Sequence, residues 1–255
     1  MKAELYTNCS LFRLPIKSGV TDYYLPQNVE WADRKIEKMI VCAPANACTD
    51  PVDGQTPVMT ASDLAAVNAF VSLFDADGRE IMHNVGIENI LHTNNNPLMV
   101  DAKLNLSLCH IDLQTAPVQD STLLLYVFYA TRTEEYYDMP RKSVTTVFPM
   151  AADEELSLQY IINTYVHALP GKLQGIIFWN AASDPAYLSL RDYTLTYQMA
   201  NIHSEMMRSD MNGGTAADSQ AALFLLNDLD IDFDYSHIRE SAGQGSTQKI
   251  TFLYD

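Results

Sequence analysis

Short apolar runs rich in Val, Ile, Leu, Phe, Tyr and Thr, broken by Gly, Pro, Asn and Asp, recur along the whole chain and read as β-strands. In the N-terminal half they predict strands over residues 10–14, 21–25, 35–43, 69–75, 80–84, 103–113 and 121–130. In the C-terminal half the runs fall at 144–149, 156–162, 172–179, 186–192, 194–199, 222–235 and 248–254. Asp77-Gly78, between two of these runs, is a tight-hairpin signal. Helical spacing is confined to short stretches. Residues 60–68, TASDLAAVN, offer Thr60 as an N-cap with Asp63 supporting the first turn. Residues 85–92 and 202–211 each follow a strand directly and predict a short helix. An antiparallel set of about seven or eight strands closes most readily as two packed sheets, because an open sheet leaves edges and one apolar face uncovered.

The two lists of strands have the same order, and the residues explain why. Residues 68–90, NAFVSLFDADGREIMHNVGIENI, lie over residues 185–207, PAYLSLRDYTLTYQMANIHSEMM, at an offset of 117 without a gap. Identities fall at Ala69/Ala186, Ser72/Ser189, Leu73/Leu190, Asp75/Asp192, Met82/Met199, Asn84/Asn201 and Glu88/Glu205. Composition alone gives roughly one or two identities in such a window, so the match is an internal repeat. Upstream the offset becomes 137, with Tyr23 over Tyr160, Lys35 over Lys172, and Met39, Ile40 and Val41 over Ile176, Ile177 and Phe178. Downstream, Ile111-Asp112 lies over Ile231-Asp232, and Ser121, Thr122 and Tyr129 lie over Ser246, Thr247 and Tyr254. A period of this length is a duplicated domain rather than a solenoid. It predicts a first β-sandwich over residues 1–131, a linker over 132–142 and a second sandwich over 143–255. The copies differ chiefly in loops: residues 46–66 are an insertion that reads as exposed, and residues 211–220, MNGGTAADSQ, read as its flexible counterpart.

Charge narrows the partners. With 16 Lys and Arg against 32 Asp and Glu, the net charge of −16 repels phosphate backbones and anionic lipid surfaces, which argues against direct nucleic-acid binding. The basic residues Arg132, Arg141 and Lys142 sit among Glu134, Glu135 and Asp138 and read as a solvated linker. No apolar run approaches a transmembrane helix, and MKAELYTNCS lacks the apolar core of a signal peptide. Cys9, Cys42, Cys48 and Cys109 have no CxxC spacing and read as reduced, packed thiols, with a Cys42–Cys48 bridge as the alternative.

Candidate chemistry is sparse. Asp228, Asp230, Asp232 and Asp234 alternate with Leu229, Ile231, Phe233 and Tyr235, which places four carboxylates on one face of a strand. They are the candidates for calcium, yet ligands from one flat strand cannot wrap an ion, so a strand with one wet face is the preferred reading and no metal or cofactor is expected. Asp75-Ala-Asp-Gly78 opens like an EF-hand loop but lacks the twelfth-position Glu and reads as a turn. His83, His92, His110, His167, His203 and His237 form no HxH or HExxH pair and read as core or surface residues. There is no GxSxG nucleophile motif, and GKLQG at residues 171–175 lacks the order of a phosphate loop, so no catalytic residue is named. Tyr23, Tyr24, Trp31, Trp179, Tyr187, Tyr193 and Tyr197 could stack on sugars, although at alternating strand positions they fit a core or an interface better.

Two tandem sandwiches, a short helix between late strands and an acidic surface resemble the double jelly-roll major capsid proteins of tailless icosahedral bacteriophages. The segment LFRLPIKSGVTDYYLPQNVEWADRKIEKMIVCAPA and the later FDADGREIMHN look like structural proteins from phages of Bacteroidota-type hosts. The resemblance implies an all-β double jelly roll and a non-enzymatic homotrimer that forms pseudo-hexameric capsomers of an icosahedral shell. Neighbouring capsomers and penton or minor capsid proteins would be its partners, and the virion, assembled in the host cytoplasm, its location. Only Lys2 stands at the N-terminus in place of the basic arm of some members, which argues against membrane contact. The alternatives are an auxiliary, ring or decoration protein of a tailed phage and a carbohydrate-binding adhesin with duplicated lectin-like sandwiches.

Overall fold

The computed structural model describes residues 8–27, 29, 31–93, 99–129, 142–167, 173–179, 184–195, 197–207, 224–225 and 231–254. It is mostly β. The chain divides into two compact units, one of Ser10–Ala130 and the other of Met1–Cys9 with Thr131–Asp255. Residues 132–141 of the expected linker lie outside the described residues, and Lys142 opens a strand.

The strands of the first repeat are β1 (Asn8–Ile16), β2 (Asp22–Tyr24), β3 (Lys35–Cys42), β4 (Ala69–Phe74), β5 (Glu80–Gly86), β6 (Met99–Lys103), β7 (His110–Leu113) and β8 (Ser121–Tyr129). Within Ser10–Ala130 they run side by side in the orders β1-β8-β3-β6 and β2-β7-β4-β5. Strand one therefore neighbours eight, two neighbours seven, three neighbours six and four neighbours five. These four rungs make one ribbon, and successive rungs alternate between the two sheets. One apolar cluster joins the sheets: Leu14, Ile36, Met39, Val41, Leu125 and Val127 from the first pack with Tyr23, Val71, Leu73, Met82 and Ile111 from the second. That is a sandwich with its core between the layers.

The second repeat holds β9 (Lys142–Met150), β10 (Glu155–Ser157), β11 (Leu173–Phe178), β12 (Ala186–Arg191), β13 (Tyr197–His203), β14 (Phe224–Leu225), β15 (His237–Glu240) and β16 (Ser246–Tyr254). Their orders, β14-β11-β16-β9 and β10-β15-β12-β13, repeat those of the first copy strand for strand. Cys9 extends the latter by pairing in parallel with Met199. Leu188, Leu190, Ile202 and Ile238 of one sheet and Phe148, Ile176, Phe178, Ile250 and Phe252 of the other are buried.

Local chemistry sets the element ends. Helix α1 (Ala61–Val67) begins with a capping box: Thr60 Oγ1 accepts the Asp63 N–H at 3.2 Å while Asp63 Oδ2 accepts the Thr60 N–H at 2.9 Å. Helix α2 (Leu158–Ile161) is capped by the Ser157 hydroxyl, so the expected strand over 156–162 ends early and turns helical. The helices expected after β5 and β13 are single 3-10 turns, Ile87–Ile90 and Ser204–Met207.

Two long expected strands are each two elements. Residues 103–113 cover the end of β6 and all of β7, which belong to different sheets, because the Asn105 carbonyl accepts from Leu108 and Cys109 N–H and turns the chain. Residues 222–235 likewise contain β14 and the turn before β15. The first split supplies the eighth strand of the first copy, whereas in the second copy β15 lies beyond the expected run; together they move the alignment, since β7 corresponds to β15 and Ile111-Asp112 lies over Ile238-Arg239, not Ile231-Asp232. Tyr23 in β2 matches Leu156 in β10, and Tyr160 falls in α2. The insertion at 46–66 is not wholly exposed either. Asp50 is buried, where Oδ1 accepts from Arg13 Nη1 at 2.6 Å and from the Val52 N–H at 2.8 Å, and Val58 and Met59 are buried as well.

Candidate functional site

The identities of the repeat converge on one device built twice. In β4 and β12 the register shifts at Ser72 and Ser189, and across the hairpin Asn84 (φ 46°) and Asn201 (φ 52°) adopt left-handed backbone. Ser72 Oγ accepts the Asn84 N–H at 3.1 Å, and Ser189 Oγ accepts the Asn201 N–H at 2.9 Å. A bulge leaves an N–H off the ladder, the serine satisfies it, and asparagine tolerates the positive φ. Asp75 and Asp192 then open each hairpin tip by accepting the N–H two residues on, from Asp77 at 3.0 Å and Thr194 at 2.9 Å.

Next to this bulge the structure supplies a pair that spacing did not reveal. His110 begins β7 opposite Ser72, and His237 begins β15 opposite Ser189. His110 Nε2 lies 3.2 Å from Asp112 Oδ2, and its Nδ1 lies 2.8 Å from the Leu108 carbonyl. His237 Nε2 lies 3.5 Å from Glu155 Oε1. In the first copy Asp112 faces Asp22 across the strands, whereas in the second Arg239 faces Glu155. Partial burial pushes the Asp112 carboxyl up, His110 opposes this, and the hydrogen bond and charge of Asp22 push it further up. Although Ser72, His110 and Asp112 share the outer face, both ring nitrogens of His110 already lie against oxygens, so the serine gains no base.

A thiol and a hydroxyl hold equivalent places below the hairpins. Cys109 Sγ accepts the Phe74 N–H at 3.3 Å and its S–H donates to the Phe74 carbonyl at 3.5 Å. Ser236 Oγ accepts the Arg191 N–H at 3.0 Å and donates to the Arg191 carbonyl at 3.4 Å. Burial pushes the Cys109 thiol up, as it does more strongly at Cys9, so both stay protonated. All four cysteines are buried and outside any disulfide, so no Cys42–Cys48 bridge forms.

Of the four calcium candidates, the structure describes Asp232 and Asp234. Asp228 and Asp230 lie outside the described residues, while Asp232 and Asp234 belong to the turn before β15, with Asp232 Oδ1 accepting the Asp234 N–H at 3.0 Å. Among the described residues no group of three or more His, Cys, Asp or Glu is placed to hold a metal. A carboxylate that alternation did not flag is Glu240: it is buried and accepts from the N–H groups of Asp153, Ala242 and Gly243 at 2.9, 2.8 and 3.1 Å. It organises two loops. Of the aromatic candidates, Tyr23, Trp31 and Tyr187 are buried and Tyr24, Trp179 and Tyr193 are exposed, while the side chain of Tyr197 lies outside the described residues.

The exposed Trp179 follows β11 and donates from Nε1 to Thr251 Oγ1 at 2.7 Å, and Thr251 Oγ1 lies 2.7 Å from Thr145 Oγ1 on β9. This ties an indole across the outer surface of three strands.

No protein-family model matches the chain, and no curated protein matches it. Among solved structures, the crystal structure of the major capsid protein P2 from Bacteriophage PM2 aligns with 96% of this chain and 97% of that chain, at 10% sequence identity and a TM-score of 0.22.

Proposed function

We propose that the chain is a viral capsid structural protein, a double jelly roll that trimerises into pseudo-hexameric capsomers of a phage shell. The observation that carries this reading is the strand order, with one ribbon of rungs 1·8, 2·7, 3·6 and 4·5 rolled into two sheets, and the whole repeated in the second copy. This winding supports the jelly-roll reading, a fold recurrent in capsid and lectin domains. Its duplication in one chain favours the shell, since three such chains present six nearly equivalent sides, and closed symmetry turns that into a tile. What the repeat conserves agrees with a scaffold. Ser72/Ser189, Asn84/Asn201 and Asp75/Asp192 all serve hairpin geometry.

On this reading the protein acts by assembly rather than catalysis, within the virion, and meets its own copies together with penton or minor capsid proteins. Electron microscopy of the purified full chain, combined with light scattering, tests it. Trimers that form hexagonal arrays or shells are expected, and a strictly monomeric protein that forms neither at high concentration would overturn the proposal.

A further inference from the structure

The duplication sets the same two loops side by side in each copy and fastens them by different chemistry. In the first copy they are residues 17–21, between β1 and β2, and residues 114–120, between β7 and β8. In the second they are residues 151–154, between β9 and β10, and residues 241–245, between β15 and β16. The strand ends beside them match: the Leu113 N–H donates to the Thr21 carbonyl at 2.8 Å, and the Glu240 N–H donates to the Glu154 carbonyl at 2.9 Å. Glu240 therefore stands where the first copy has Leu113 of the core cluster.

The first fastening lies in water. Asp120 Oδ2 accepts from Lys17 Nζ at 2.7 Å and Oδ1 accepts the Ser18 N–H at 2.9 Å, with the lysine and aspartate side chains 62% and 54% exposed. Ser18 Oγ donates to the Val118 carbonyl at 3.1 Å, and the Gly19 N–H donates to the Pro117 carbonyl at 3.0 Å. Their mutual hydrogen bond holds the Lys17 ammonium above its ordinary range and the Asp120 carboxyl below its own. The second fastening is dry. Glu240 is 1% exposed and accepts the Asp153 N–H of one loop and the Ala242 and Gly243 N–H groups of the other. Among the described residues no cation pairs with it, so backbone N–H groups take the place of a counter-ion, as in an anion-binding nest. Gly245 (φ 78°) lets the loops close, since a Cβ there would meet the Met150 carbonyl oxygen at 3.2 Å.

We infer that these are two latches of different kind: ionic strength loosens residues 17–21 from 114–120, whereas residues 151–154 and 241–245 stay locked at any salt concentration. Salt screens an exposed ion pair and reaches a buried carboxylate far less. Bonds to a buried charge are also the stronger ones, roughly twice a neutral pair. One sandwich can thus change at its loop end under conditions that leave the other rigid. Each latch works within its own sandwich, so the inference stands whether or not the chain builds a shell.

Hydrogen exchange of the full chain, resolved at single amides, tests it. Between low salt and about 1 M sodium chloride, where the Debye length is about 3 Å, exchange at Ser18 and Gly19 should rise about threefold, while Asp153, Ala242 and Gly243 stay unchanged. Asp120→Asn keeps an acceptor for Ser18 but removes the ion pair, so its loops should exchange at the high-salt rate already in low salt and respond to salt no further. Glu240→Gln should speed Asp153, Ala242 and Gly243 together by at least about tenfold at both salt concentrations. Melting temperatures confirm that the variants fold, and the salt series on wild type decides the matter even if Glu240→Gln does not. A salt response equal in the two copies or absent from the first would overturn the inference, as would one that persists in Asp120→Asn.

Discussion

β8 and β16 are the same strand of the same fold, nine residues each, with Ser121, Thr122 and Tyr129 matched by Ser246, Thr247 and Tyr254. Their middles diverge. All nine residues of β8, STLLLYVFY, are buried, whereas β16, STQKITFLY, buries Gln248, Ile250, Thr251 and Phe252 and exposes Thr247 and Lys249. A strand covered on both sides needs apolar residues at every position, and one covered on a single side needs them at alternate positions. Duplication thus preserved the inward residues Leu125/Ile250 and Val127/Phe252 as apolar, while the outward residues followed whatever each copy has against its outer face.

The sharpest break of this comparison is an exchange of charge. Leu124→Lys places an ammonium where the leucine is fully buried, and should destabilise the protein by more than about 4 kcal/mol in denaturant titration. The reciprocal Lys249→Leu, at an exposed site, should change stability by less than about 0.5 kcal/mol. Equal effects would mean that the two outer faces do not differ as described. The conserved hairpin device should behave in the opposite way, alike in both copies. Ser72→Ala and Ser189→Ala each leave an asparagine N–H at the bulge without its hydroxyl acceptor and should each cost about 1–3 kcal/mol. A large cost in one copy alone would show that the matched bonds do not share a structural role.

The same contrast explains what could be read from the chain. Alternation and turn residues suffice for β4, β5, β12 and β13, where an ungapped offset of 117 matches the strands and even the following 3-10 turns. The capping box at Thr60 and the hairpin at Gly78 were legible because each rests on local hydrogen bonds or positive φ. Residues 103–113 misled because Leu104, Leu106 and Leu108 alternate with polar residues through a turn, and periodicity does not register a carbonyl that takes two N–H groups. That error shifted the downstream alignment and hid the match of His110 with His237. Over residues 232–234 the acidic alternation misled for a related reason, since Asp232 uses its side chain to turn the backbone rather than to line a strand. Sheet order is a non-local property and was not available from spacing at all.

The smallest expected difference lies at that histidine pair. Asp112 faces another carboxylate, Asp22, where the second copy sets Arg239 against Glu155. Partial burial, reinforced by Asp22, holds the Asp112 carboxyl above the ordinary aspartate range despite the opposing pull of His110. The folded protein therefore binds this proton more tightly than the unfolded chain. The resulting stabilisation is complete below the ordinary aspartate pKa and is lost as pH rises through the raised folded value. Asp112→Asn keeps a neutral side chain at every pH, so its stability relative to wild type should increase across that acidic window and then level off. Denaturation midpoints measured at several pH values read this directly. A relative stability that stays flat, or falls as pH rises, would show that the His110 contact outweighs burial and the neighbouring carboxylate. The two copies would then be electrostatically alike at this position despite their different cross-strand partners.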